Sequence, residues 1–290
     1  MIVFPFFCIL VFHYEGIRVK IHVKNVTIGD GSPLVLIAGP CVVESRDIVF
    51  RTAETLRTIT GKLNVPFIFK SSYRKANRAA NSSFSSLGDE KALAILAEVK
   101  RELDIPILTD IHLPDEAAIA AEVADVLQIP AFLCRQTELL QAAGKTGRAV
   151  NIKKGQFLSP SEMKLAAEKV TETGNKNVLL TERGTTFGYN NLVVDMRSLA
   201  IMRKTGFPVV LDATHSVQLP GGEQNKSGGQ PEFILPLARA GVAAGCDALF
   251  IETHPDPSKA LSDAASQLPL DQVEGFLRQV TAIDRLVKSF

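Results

Sequence analysis

No two of the four cysteines, Cys8, Cys41, Cys134 and Cys246, stand at CxxC spacing, and none fits the dense pattern of a secreted scaffold. That absence excludes a disulfide framework and points to a reducing, cytoplasmic setting. Nor is there an apolar run of about 20 residues, the length a membrane-spanning helix needs. The stretch MIVFPFFCILVF at residues 1–12 is too short, contains Pro5, and lacks the basic start and small-residue cleavage site of a secretory signal. Residues 1–16 are therefore read as an apolar extension outside the fold, a start-site artefact in one reading and a docked strand in the blander one. An excess of either charge is also missing: 32 basic against 31 acidic residues leave a net charge of +1. No bulk attraction to nucleic acid or an anionic membrane follows, so any anion binding must be local. Finally, no linker or low-complexity stretch divides the chain, which makes residues 17–290 one catalytic domain.

What the chain does have is a recurring unit. From Leu34 onward a short apolar run, a polar or glycine-bearing end and a helical pattern repeat, with runs ending near Cys41, Ser72, His112, Phe132, Gly155, Gly184, His215 and His254. Strands alternating with helices in this way imply a parallel sheet, and these units close more naturally into a (β/α)8 TIM barrel than into an open doubly wound sheet. Ahead of them Val19, Ile21, Val23, Val26 and Ile28 alternate with polar residues and run into Gly29-Asp30-Gly31. This predicts an N-terminal β-hairpin able to plug the bottom of the barrel. Helical stripes are legible at Val49, Thr52, Ala53, Leu56 and Ile59, at Leu93, Leu96, Val99 and Leu103, and at Val273, Phe276, Leu277, Val280 and Leu286. Ser159-Pro160-Ser161-Glu162 has the form of a capping box, and Pro114 is placed to open the helix after His112.

The strand ends of such a barrel build its active site, and here they are polar: Lys70-Ser71-Ser72, Thr109-Asp110-Ile111-His112, Asn151-Ile152-Lys153-Lys154, Thr181-Glu182-Arg183-Gly184, Asp212-Ala213-Thr214-His215 and Glu252-Thr253-His254. Charges beside an apolar barrel are costly unless paired. The cations Lys70, Lys75, Arg78, Lys153 and Arg183 exceed the needs of one carboxylate and suggest phosphate groups; the bland reading is an ion-pair ring with Asp110, Glu182 and Glu252. Cys41, His215, Glu252 and Asp263 offer sulfur, nitrogen and oxygen donors suited to one divalent transition metal such as Zn, Fe or Mn. Singly, each has a duller role as a buried thiol, a core histidine or a helix cap. The glycine-rich stretch from Pro220 to Gly229 is read as a loop and mobile lid.

The motifs Ala38-Gly39-Pro40-Cys41, Phe69-Lys70-Ser71-Ser72, Lys75-Ala76-Asn77-Arg78, Gln128-Ile129-Pro130-Ala131-Phe132-Leu133-Cys134-Arg135 and Asn151-Ile152-Lys153-Lys154-Gly155 resemble the 3-deoxy-D-manno-octulosonate 8-phosphate synthase family, as do Glu182-Arg183-Gly184-Thr185-Thr186-Phe187-Gly188 and Asp212-Ala213-Thr214-His215. The resemblance covers Leu34 to the C-terminus. It implies condensation of phosphoenolpyruvate with D-arabinose 5-phosphate, release of phosphate, and a place in lipopolysaccharide precursor synthesis. By the same resemblance Lys70, Lys75, Lys153 and Arg183 hold phosphoenolpyruvate, with Gln128 and the Ala131 backbone nearby, while Asn77 and Arg78 contact the sugar phosphate. Arg135 would enter from a neighbouring subunit of a homotetramer. The family divides into metal-dependent members with cysteine at position 41 and metal-independent members with asparagine there, and this chain resembles the first kind. Asp110 and His112 are candidates for positioning water or moving a proton, or else for bracing Lys75.

One segment departs from the family pattern. After Arg78 the chain reads Ala79 to Ser86 without the usual hydroxyl and basic group, and Arg74 stands where an acid is customary, so the sugar preference is open to change. Two other readings compete: a sister synthase acting on erythrose 4-phosphate, whose relatives carry Lys-Pro-Arg-Thr where this chain has Lys75-Ala76-Asn77-Arg78, and a non-catalytic barrel that senses a phosphosugar or metal.

Overall fold

A computed structural model describes residues 19–76, 84–223 and 226–290. The apolar extension, Asn77, Arg78 and the start of the departing segment lie outside the described residues.

Eight parallel strands follow one another around a cylinder: β1 (Val35–Gly39), β2 (Phe67–Lys70), β3 (Ile107–Asp110), β4 (Val126–Ile129), β5 (Ala149–Lys153), β6 (Val178–Glu182), β7 (Val209–Asp212) and β8 (Ala248–His254). Each pairs with the next, and β8 pairs back to β1, so the eight strands close into a barrel, with the short strand Leu268–Pro269 added beside the end of β8. The helices α1 (Arg46–Leu63), α2 (Asp89–Leu103), α3 (Glu116–Val123), α4 (Thr137–Lys145), α5 (Met163–Thr171), α6 (Arg197–Arg203), α7 (Ile234–Ala243) and α8 (Val273–Val287) lie between and after the strands. Among the described residues, no helix is long and apolar enough to cross a membrane.

Strand parity separates two cores. Leu36 and Ala38 of β1 face the helices, whereas Val35 and Ile37 face inward. The inward set continues around the barrel as Ile68, Leu108, Val126, Ala149, Leu179, Val210 and Phe250, and Ile21, Val23, Val26 and Ile28 of the antiparallel hairpin pack against it. The hairpin therefore plugs the bottom, as its alternation predicts. Its turn falls at Lys24-Asn25, with Lys24 at φ 50, and not at Gly29-Asp30-Gly31.

The helix signals hold with local exceptions. Ser45 caps α1 by accepting the Ile48 N–H, and the helix ends at Asn64 in the left-handed region. The capping box at Ser159–Glu162 is formed, although a 3-10 turn precedes α5. Pro114 occupies a turn ahead of α3, whose first residue is Glu116. In α8 the buried stripe runs through Val273, Phe276, Leu277 and Val280 to Asp284, while Leu286 is 58% exposed. Leu286 lies six residues past Val280, most of a half-turn off the stripe. The stretch read as a glycine-rich loop folds instead as two paired strands, Gln218–Glu223 and Lys226–Gly229. Glycine-rich sequence carries no strand signal of its own, so this pairing is decided by backbone hydrogen bonds that the residue types do not announce.

Candidate active site

Climbing each strand by two residues carries the interior from apolar to polar. Ile68 is followed by Lys70, Leu108 by Asp110, Val126 by Gln128, Ala149 by Asn151 and Lys153, Leu179 by Thr181 and Arg183, Val210 by Asp212 and Phe250 by Glu252. The C-terminal rim is thus a polar layer resting on an apolar one. Gln128 donates to Asp110 Oδ1 at 2.7 Å, Asn151 to Gln128 Oε1 at 2.8 Å and Thr181 to Asn151 Oδ1 at 2.6 Å, while Ser72 donates to Asp110 Oδ2 at 2.8 Å. This belt satisfies the buried amides and fixes the rotamers above them. Gly39 lets β1 approach closely: a Cβ there would stand 1.9 Å from the Lys70 carbonyl oxygen.

The rim encloses a cavity of about 260 Å3 whose lining includes Lys70, Lys75, Asp110, His112, Gln128, Ala131, Lys153, Arg183, His215, Glu252 and Asp263. Most of the expected site thus converges on one hollow. Arg135 is exposed and does not line it. Asn77 and Arg78 lie outside the described residues. Arg74, the departing residue, lines the mouth and pairs with Asp89 at 2.8 Å and with Glu116.

Cys41 Sγ, a Glu252 oxygen and an Asp263 oxygen lie within 4.8 Å of one another. His215 stands beside this trio, outside its common radius, with Nε2 at 3.7 Å from Glu252 Oε1 and 3.8 Å from Asp263 Oδ2. Its orientation comes from Asp212, whose Oδ2 lies 2.7 Å from Nδ1, leaving Nε2 toward the carboxylates. Lys75 Nζ sits among the donors, 3.3 Å from Cys41 Sγ and paired with Asp263, so an ammonium takes the place a cation would fill. Among the described residues, Glu252 Oε2 is buried without a hydrogen-bond partner. A buried carboxylate oxygen with no partner among the described residues, beside a thiol, a second carboxylate and an oriented imidazole, fits a divalent metal ion.

The ion-pair ring of the bland reading is also present, in altered form. Lys70 donates to Glu252 Oε1 at 2.5 Å and to the Cys41 carbonyl at 2.9 Å, Lys153 pairs with Asp212, and Lys154 pairs with Glu182 at 3.4 Å. Glu182 and Lys154 point away from the hollow by strand parity. Glu182 accepts the N–H groups of Arg183 and Gly184 at 3.0 and 2.7 Å and the Ser198 hydroxyl at 2.6 Å, and so braces the loop that presents Arg183. Arg183 donates to Gln218 at 2.7 Å, and its Nη1 is buried without a partner among the described residues. An unsatisfied guanidinium nitrogen in a closed hollow is a preformed anion contact.

These pairings shift the groups in both directions. Burial pushes the Cys41 thiol well up, with Glu252 adding to it. Burial also works against the Asp212 carboxylate, but His215 and Lys153 outweigh it and hold the group well below the ordinary range. Lys153 is brought down to about 8, because burial and the like charge of Lys70 outweigh the carboxylates of Asp212 and Glu252. Burial would lower Lys70 and Lys75 too, yet Glu252 and Asp263 hold both up. His112 is anchored by Glu116, which lies 3.3 Å from Nδ1 and accepts the His112 backbone N–H at 2.7 Å.

Sequence reading assigned Asp212, Gln218 and Lys154 no role of their own and placed Glu182 only in the ion-pair ring of the bland reading. Asp212 was the most findable, since an Asp three residues before a metal-type His is a recurrent way to orient the ring; the others announce themselves only through contacts.

A family profile described as the DAHP synthetase I family matches residues 17–289. A protein of Trichlorobacter lovleyi named 2-dehydro-3-deoxyphosphooctonate aldolase is 54% identical over 269 residues, covering 93% of this chain and 99% of its own. Proteins of the same name from Azoarcus sp. (strain BH72) and Geobacter metallireducens are 56% and 54% identical, covering 90% and 93% of this chain and 95% and 99% of their own. The chain belongs to the DAHP synthetase I family, among the 2-dehydro-3-deoxyphosphooctonate aldolases that its motifs resemble.

Proposed function

We propose that the protein condenses phosphoenolpyruvate with D-arabinose 5-phosphate and water, giving 3-deoxy-D-manno-octulosonate 8-phosphate and inorganic phosphate for lipopolysaccharide precursor synthesis in the cytoplasm. The observation that carries this reading is one hollow lined by Lys70, Lys75, Lys153, Arg183, His215, Glu252 and Asp263, with the buried Cys41 Sγ close to the last two, in a chain over half identical to relatives of that name. Arg183 Nη1 and Lys153 hold the phosphate and carboxylate of phosphoenolpyruvate. The enol carbon attacks the aldehyde carbon of the sugar, water adds at carbon 2, and the resulting tetrahedral centre expels phosphate. Asp110, fixed by Ser72 and Gln128, and His112, fixed by Glu116, hold water and move its proton. Cys41, His215, Glu252 and Asp263 would hold a divalent metal, which would supply Lewis-acid polarisation or orientation of the aldehyde when bound. Gln218 and Pro220, at the base of the glycine-rich hairpin, line the hollow, and the hairpin closes over bound substrates.

The test is turnover of phosphoenolpyruvate with arabinose 5-phosphate and, separately, erythrose 4-phosphate, before and after chelation. Activity should favour the five-carbon sugar, vanish on exhaustive metal removal and return with a divalent ion. Faster reaction of the four-carbon sugar would move the chain to the sister synthase. No turnover of either would favour the sensor reading.

The assembly proposed is a homotetramer. Phe132, Phe157 and Phe187 stand 55%, 57% and 70% exposed on loops above the strand ends, and the Thr186 N–H bonds the Gln156 carbonyl, which sets the last two loops side by side. Exposed aromatics of this kind are buried when copies associate. Sedimentation of a monomer at micromolar concentration would reject it.

A further inference from the structure

Glu44 has no part in the chemistry above, yet its carboxylate joins three segments that carry metal donors. It lies three residues past Cys41, between β1 and α1, and the next residue, Ser45, caps α1 through the Ile48 N–H at 3.2 Å. Its Oε1 stands 2.5 Å from Nε2 of His254, two residues beyond Glu252. Its Oε2 accepts the backbone N–H of Leu261, two residues before Asp263, at 2.9 Å. Both side chains are buried, Glu44 at 7% and His254 at 3% exposure. His254 Nδ1 lies 3.0 Å from the Asp256 nitrogen and 2.7 Å from its carbonyl oxygen, which fixes the turn leaving β8. Asp263 itself sits at φ 48, ψ 31, a left-handed conformation that sterics disfavour and that surrounding structure must impose.

We propose that Glu44 and His254 form a positioning latch that sets the separation of Cys41, Glu252 and Asp263. The proposal rests on the metal reading above. Neither residue touches the metal or substrate. Their common bond fixes the β1–α1 segment, the end of β8 and the Leu261–Asp263 segment to one point, so the three donors arrive with their spacing already set. A buried His–Glu pair also serves simple packing, and the two roles differ in what they move. Packing alone changes stability; the latch changes metal affinity while leaving phosphoenolpyruvate binding intact, because Lys153 and Arg183 stand at the ends of β5 and β6 and not on the latched segments.

The experiment measures Zn2+ and Mn2+ affinity of the full chain by competition with a chromophoric chelator, and phosphoenolpyruvate affinity of the metal-free protein by calorimetry. The variants are Glu44→Ala, Glu44→Gln and His254→Ala. Loss of an outer partner of this kind weakens metal binding by about tenfold to a hundredfold. Glu44→Ala and His254→Ala should show that loss with phosphoenolpyruvate affinity unchanged, and turnover should recover at saturating metal. Glu44→Gln keeps the shape of the latch but cannot accept from both His254 and Leu261, so it should fall between parent and Glu44→Ala, and it carries the test if the alanine variants do not fold. Metal affinities within about twofold of the parent in every folded variant would overturn the latch. So would equal losses of metal and phosphoenolpyruvate affinity, which mark general collapse of the rim. If the unsubstituted protein binds neither ion, the metal reading fails and the latch with it.

Discussion

Lys153 keeps its charge near neutral pH by a narrow margin, its pKa brought down to about 8 by burial and by Lys70. Below that value it is a cation ready to meet an anionic substrate; above it the Lys153 amine of the free site is neutral. Bound phosphoenolpyruvate would raise the pKa again, so affinity should decline as pH rises through about 8, with uptake of a proton on binding in the alkaline range. Calorimetry in buffers of different ionisation enthalpy measures that uptake; a flat affinity and no uptake would count against the assignment, and Lys153→Arg should abolish the uptake. At Cys41 the outcome is qualitative. Cys41→Asn should retain part of the activity and lose its sensitivity to chelators, whereas His215→Ala should lose more than the roughly tenfold to hundredfold typical of an outer-shell change. Complete inactivity of Cys41→Asn in a folded, phosphoenolpyruvate-binding protein would refute the first. Residue types suggest Cys41, His215, Glu252 and Asp263 as donors, but not that Lys75 stands beside Cys41 and Asp263, since a lysine far along the chain gives no sign of which carboxylate it will meet.

Among the elements, α8 shows how a period is read and where it slips. Leu277 is fully inside, at 1% exposure, against 58% for Leu286. Leu277→Ala should therefore cost about 2–5 kcal/mol in denaturant unfolding, and Leu286→Ala within about 0.5 kcal/mol of nothing. Equal effects would show that the stripe had been misplaced. The glycine-rich hairpin was the opposite case. Its residue types look like loop, and its pairing depends on backbone groups that every residue shares. Hydrogen exchange with and without substrates tests its closure, and identical protection of the Gln218–Gly229 amides in both states would remove the lid. Helices carry their signal within a dozen residues; a two-stranded ribbon between barrel strands carries little.

At the scale of the whole molecule, the barrel needs its plug. The inward apolar layer from Ile37 to Phe250 would open to water at the bottom without Ile21, Val23, Val26 and Ile28. Ile28→Ala should destabilise the barrel by about 2–5 kcal/mol, with the cavity lining unchanged and phosphoenolpyruvate affinity retained by the folded fraction. A stability change under about 0.5 kcal/mol, as at a surface position, would mean that the hairpin merely rests on the barrel. The sequence by itself determined the order of eight strand–helix units, the helical stripes, the plugging hairpin and the residue types at the strand ends, because local periodicity and turn chemistry are written in consecutive residues. Tertiary structure alone decided which strand-end charges face the hollow and which brace loops behind it, and that Glu44 meets His254 and Leu261 while Asp212 meets His215. Those outcomes turn on strand parity and on contacts between residues up to more than two hundred positions apart, a distance over which no local pattern carries information.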